Sequence, residues 1–102
     1  MKKLSVNGKD FDEVFAEKGN PILIQNMIEG NVYFWHDFDC PHLSSIIKFS
    51  DYHRSEIFVK SGLFDNGQVI RKTSYMFESY DIFFEATPNQ IYLLNAYKSV
   101  KP

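Results

Sequence analysis

The chain has 102 residues, 44% of them hydrophobic and 24% charged, with one cysteine and a formal net charge of −2. This balance is that of a folded domain and excludes a disordered chain, and the length leaves room for a single domain, residues 1–102. The lone Cys40 excludes an internal disulfide framework, no apolar run approaches the ~20 residues that span a bilayer, and no strongly basic tract marks a nucleic-acid binder.

Aromatic residues make up 17% of the chain, with ten Phe, six Tyr and one Trp, which leans it toward pleated, half-buried surfaces. The start, "MKKLSVNGKDFDEV", has a basic pair with no apolar stretch behind it, so the expectation is no signal peptide and a cytoplasmic protein. "DFDEVFAEKGNP" then predicts a short helix. Asp10 caps it, Glu13 completes a capping box, and Phe11, Val14 and Phe15 form one apolar stripe. Gly19 is expected to take a left-handed stop before Pro21. "NPILIQNMIEGN" predicts a second helix capped by Asn20, with Ile24, Met27 and Ile28 on one face. A buried strand over residues 22–24 is its rival.

From Gly30 the pattern turns to strands: "NVYFWHDF", "SSIIKFS", "SEIFVKSGLF", "QVIRKTSYMFES", "YDIFFEA" and "IYLLNAYKS". "DNG" at 65–67 predicts a type I′ hairpin turn, and "TPNQ" a turn between the last two strands. In "YDIFFEA", Ile82, Phe84 and Ala86 alternate with Asp81, Phe83 and Glu85, as for one dry and one wet face. The expected fold is α+β: one or two short N-terminal helices packed on a curved antiparallel sheet of five or six strands.

The densest chemistry lies in "FWHDFDCPH", residues 34–42. His36, Cys40 and His42 with His53 or Asp51 are four zinc-ligating side chains, but H-x3-C-x-H matches no usual zinc spacing. Cys40 activated by His36 or His42 would need an oxyanion hole, and Pro41 supplies no N–H for one. His36 with Asp37, Asp39 or Asp51 is a looser acid–base set. The plainer reading is a strand end and turn, with Cys40 as a small apolar filler. The chain carries no GxGxxG, Walker A, HExxH or GxSxG motif, and "RKTSY" holds too few charges for a nucleic-acid groove. The expectation is therefore no catalytic residue, no metal and no cofactor.

Charge is uneven along the chain. Residues 1–9 carry three lysines, and residues 10–39 carry seven acids against Lys18 alone. Two stretches join carboxylates to flat aromatics, "FWHDFD" and "FESYDIFFE". On these features the chain resembles small bacterial immunity proteins of contact-dependent growth-inhibition or colicin-like toxin systems. The resemblance implies a cytoplasmic, non-enzymatic inhibitor of a cognate basic toxin, commonly a nuclease such as a ribonuclease, without contact to nucleic acid or membrane. Carboxylates would mimic phosphates and aromatics would fill the desolvated centre. The candidate partner-binding residues are Trp35, Asp37, Asp39, Glu78, Tyr80 and Asp81. The competing expectation is a ligand-binding or enzymatic curved-sheet domain, similar to the cystatin-like cone. Its pocket near His36 would be lined by Trp35, Tyr75 and Phe84.

Overall fold

A computed structural model describes residues 3–99. The first two residues of the basic start, and residues 100–102, lie outside the described residues. In chain order the elements are α1 (Phe11–Phe15), β1 (Pro21–Ile22), β2 (Val32–His36), β3 (Ser45–His53), β4 (Glu56–Phe64), β5 (Val69–Ile70), β6 (Thr73–Met76), β7 (Ile82–Glu85) and α2 (Pro88–Ser99). Single 3-10 turns at Ile24–Asn26 and Pro41–Leu43 separate some of them.

Helix α1 forms where its caps place it. The Asp10 carboxylate accepts from the Glu13 N–H at 2.8 Å, and the Glu13 carboxylate accepts from the Asp10 N–H at 3.2 Å. Phe11, Val14 and Phe15 are buried. The helix closes on Ala16 in the right-handed region, not on a left-handed Gly19. Gly19 serves close packing instead, because a Cβ there would collide with the Glu85 carbonyl oxygen.

The expected second N-terminal helix does not form. Pro21 and Ile22 pair with Phe84 and Phe83 as edge strand β1, and one 3-10 turn follows. Proline suits a sheet edge because it has no N–H to donate. Of the three residues placed on the helix face, Met27 enters the core, Ile24 is half-buried and Ile28 is 62% exposed.

The C-terminal strand expected over "IYLLNAYKS" is helix α2, and "TPNQ" is its start. The Thr87 N–H donates to Gln90 Oε1 at 3.0 Å, the Gln90 N–H donates to Thr87 Oγ1 at 3.2 Å, and Pro88 takes the first helical position. Gln90, Leu93, Leu94 and Tyr97 form its buried stripe.

The fold is therefore a mostly-sheet domain. Seven antiparallel strands make one sheet, with the short α1 and the single C-terminal α2, and not a sheet of five or six strands behind N-terminal helices. The order is β1-β7-β2-β3-β4-β5, with β6 also on β4. The long β4 holds β6 along Glu56–Val59 and β5 along Gly62–Leu63. The hairpin at "DNG" forms as a three-residue loop. Gly67 donates its N–H to the Phe64 carbonyl at 3.0 Å and alone takes positive φ (88°), while Asn66 does not, so the turn is not type I′.

Both faces of this sheet are buried. Phe34, Ile46 and Leu63 pack with α1 and α2 on one side. Tyr33, Trp35, Ile47, Ile57 and Phe83 form a second core on the other. Strand β7 thus has no wet face in its centre: Phe83 and Phe84 enter opposite cores. The second core is enclosed because the sheet curls. Strands β2 and β6 lie three spacings apart, roughly 14 Å if the sheet were flat, yet the Trp35 and Tyr75 rings are 6.0 Å apart. Register irregularities in β3 at Lys48/Phe49 and Phe49/Asp51 provide the bend. Phe77, just past β6, then meets Phe83 of β7 at 5.9 Å and closes the curl.

Candidate functional site

Antiparallel pairing of β2 with β7 sets His36 opposite Ile82, so the loop after β2 and the loop before β7 leave the sheet side by side. The two aromatic-acidic stretches, some forty residues apart in sequence, meet there. All six candidate residues, Trp35, Asp37, Asp39, Glu78, Tyr80 and Asp81, belong to this one end of the sheet, but they do different things.

Trp35 is buried, stacked on Phe83 at 6.0 Å, so it supports the site from below. Its indole N–H donates to Asp81 Oδ2 at 3.2 Å. Asp81 also accepts the Glu78 N–H on Oδ2 at 2.9 Å and the Phe38 N–H on Oδ1 at 3.3 Å. This carboxylate therefore clamps both loops onto the core. Asp37 plays a similar local part, its Oδ1 accepting the N–H groups of Asp39 and Cys40, both at 3.1 Å. The Asp37 N–H is held in turn by Ser44 Oγ at 3.0 Å.

The outward groups are Asp39, Glu78 and Tyr80. The Tyr80 hydroxyl donates to Asp39 Oδ2 at 2.7 Å and bridges the loops on the surface. That hydrogen bond, with the charge of Asp39 and those of Glu78 and Asp81, pushes the phenol up to about 12. Phe38 is 49% exposed and Tyr80 53% exposed, large apolar surfaces left out of the core. Among the described residues, no lysine, arginine or histidine pairs with Asp37, Asp39, Glu78 or Asp81.

The acids nearer the N-terminus are different. Lys3 meets Asp12 at 3.2 Å, Lys9 meets Glu17 at 3.0 Å and Lys60 meets Glu29 at 3.0 Å. Asp12, Glu17 and Glu29 are thus neutralised in space, Asp10 and Glu13 are engaged in the cap of α1, and among the described residues the acids at the end of β2 and β7 have neither arrangement.

Beside these loops runs an open groove of about 270 Å³, between residues 21–24 on one wall and residues 77–79 and 81–83 on the other. Sequence reasoning missed this wall because it took residues 20–30 for a helix. The exposed Leu23 and Ile82, in unremarkable apolar runs, carried no local signal of it.

His36 lies half-buried with its ring 4.4 Å from that of Phe38 and is not part of the groove. The pocket lining anticipated around it is not assembled, since Trp35 and Phe84 occupy opposite faces of the sheet. Among the described residues, no three His, Cys, Asp or Glu side chains are arranged to hold a metal, so His36, Cys40 and His42 do not form a ligand set. Among the described residues, no helix is long and apolar enough to cross a membrane. No protein-family model, curated protein or solved structure gives a significant match to the chain.

Proposed function

We propose that this protein is an immunity protein that blocks a cognate basic bacterial toxin, a nuclease in the first instance, by docking the end of β2 and β7 over it. The carrying observation is the convergence of "FWHDFD" and "FESYDIFFE" into one surface, where four carboxylates without a cationic partner among the described residues lie beside the exposed Phe38 and Tyr80. Unpaired carboxylates steer a basic partner into contact and keep other acidic surfaces away. Exposed aromatic rings supply the area that loses water at the centre of an interface. The inhibition is steric and electrostatic, involves no catalytic step or cofactor, and takes place in the cytoplasm.

The test is protection. The chain is used as bait in lysate of its native host, a captured basic toxin domain is identified by mass spectrometry, and the two are co-expressed. Growth should be rescued, and the complex should loosen as salt rises. Asp39→Lys with Glu78→Lys should weaken binding by about tenfold or more and abolish rescue. These two positions are chosen because Asp37 and Asp81 hold main-chain N–H groups of the loops, whereas among the described residues the Asp39 carboxylate meets only the exposed Tyr80 hydroxyl and the Glu78 carboxylate has no partner. Undiminished rescue by a folded double variant would remove this surface from the interface.

A further inference from the structure

The groove beside the loops has a composition that narrows what enters it. At about 270 Å³ it lies below the usual range of cofactor and drug-sized pockets, and it is open along its length, so it suits one extended side chain better than a free ligand. Its floor and walls are apolar, with Ile22, Ile24, Phe77 and Phe83, while Glu78 and Asp81 sit on one side. Asp81 spends its oxygens on Trp35, Phe38 and the Glu78 N–H. The Glu78 side chain, in contrast, has neither a hydrogen-bond donor nor an ion-pair partner among the described residues. Its backbone is nevertheless fixed twice, by its own N–H on Asp81 Oδ2 at 2.9 Å and by its carbonyl, which accepts the Asp81 N–H at 3.0 Å. A carboxylate with no partner among the described residues is thus carried by a hydrogen-bonded turn at the edge of an apolar slot.

We infer that this groove receives an arginine side chain of the basic partner, its methylene stem against Ile22 and Ile24 and its guanidinium between the Glu78 carboxylate and the Phe77 ring. The inference rests on the toxin-docking reading and names the chemistry by which the surface takes hold. Arginine fits better than lysine because its planar cation both pairs with a carboxylate and stacks on an aromatic ring, and because it sheds water more readily than an ammonium. An aliphatic side chain would leave Glu78 facing a desolvated neighbour without a partner, and an acidic one would be repelled by two carboxylates.

The test uses the full chain with 15N labelling and blocked hexa-arginine, hexalysine and hexacitrulline peptides as probes, followed by amide resonances. Hexa-arginine should shift residues 22–24 and 82–83, hexalysine should bind several-fold more weakly, and the uncharged hexacitrulline should leave these resonances in place. Glu78→Gln, a substitution at an exposed position that keeps the shape, should weaken hexa-arginine binding about tenfold. Shifts confined to residues 36–40 would overturn the groove assignment and leave the acidic loops as a docking surface. Equal binding of hexalysine would overturn the choice of arginine. The absence of any shift with hexa-arginine would overturn the groove, while rescue of growth by the protein would still stand or fall separately on the co-expression test.

Discussion

Glu17 links the two helices through both its carboxylate and its main-chain carbonyl. Its carboxylate accepts from Thr87 Oγ1, from Asn89 Nδ2 at 3.1 Å and from the Lys9 ammonium at 3.0 Å, while its main-chain carbonyl accepts from Gln90 Nε2 at 2.6 Å. Burial pushes its pKa up, but the hydrogen bonds from Thr87, Asn89 and Lys9 and the charge of Lys9 outweigh that and hold it below the ordinary 4.5. The unfolded chain therefore takes up a proton in a range where the folded protein does not. The stabilisation is present above pH 4.5 and is lost as pH falls through the lower folded value. Urea midpoints should fall in that acid window, and Glu17→Gln should flatten this part of the profile. Gln90 completes the link: fully buried, it donates to the carbonyls of Val14 and Phe15 as well, all near the end of α1. A glutamine inside a core stripe thus supplies N–H donors to the carbonyls at the end of α1, adding to the Glu17 N–H that already reaches Val14 at 3.1 Å.

The hairpin joining β3 and β4 turns on Arg54, which takes positive φ (56°) with an ordinary side chain. Left-handed backbone costs such a residue ~1 kcal/mol, so Arg54→Gly should raise stability by up to about that amount in urea denaturation. An unchanged or lower midpoint would show that relief of this conformation does not stabilise the fold. Elements whose signals are local were legible in the sequence: α1 from Asp10 and Glu13, and the β4–β5 hairpin from "DNG". Elements decided by distant partners were not. Strand β1 exists because β7, sixty residues later, offers it an edge; "NPILIQ" admits a strand over residues 22–24 as the rival of a helix, but nothing within it decides between the two. Helix α2 is different, for its Thr87–Gln90 box and its stripe at 90, 93, 94 and 97 are local signals present in the sequence, although "TPNQ" reads as a turn and "IYLLNAYKS" as a strand. The site was half legible. Its residues stood out by type, but only the β2–β7 pairing made them neighbours and only the hydrogen bonds separated Asp37 and Asp81, which hold loops, from Asp39 and Glu78, which face outward.

The molecule has two cores with a sheet as their shared wall, and adjacent residues belong to different ones. Ile46 and Ile47 are both fully buried, the first against the helices and the second inside the curl. Because the same strands bound both cores, the chain should unfold in one step and not core by core. Ile46→Ala and Ile47→Ala should each cost ~2–5 kcal/mol and leave a single urea transition. Two separated transitions in either variant would show that the cores melt independently. The wall also explains why alternation failed as a guide in β7, since a strand with a core on each side has no wet face to advertise.

The chain's one tryptophan stands at the junction of this architecture and its proposed surface. Trp35 is packed between Phe83 and Tyr75 inside the curl, and its N–H ends on Asp81, the carboxylate that holds both loops. The protein therefore carries its own fluorophore, wired to the place where a partner would land. Its ultraviolet emission reports the integrity of the second core during unfolding, and a shift in that emission on mixing with a tryptophan-free partner peptide reports movement of the Asp81 clamp, with no label attached.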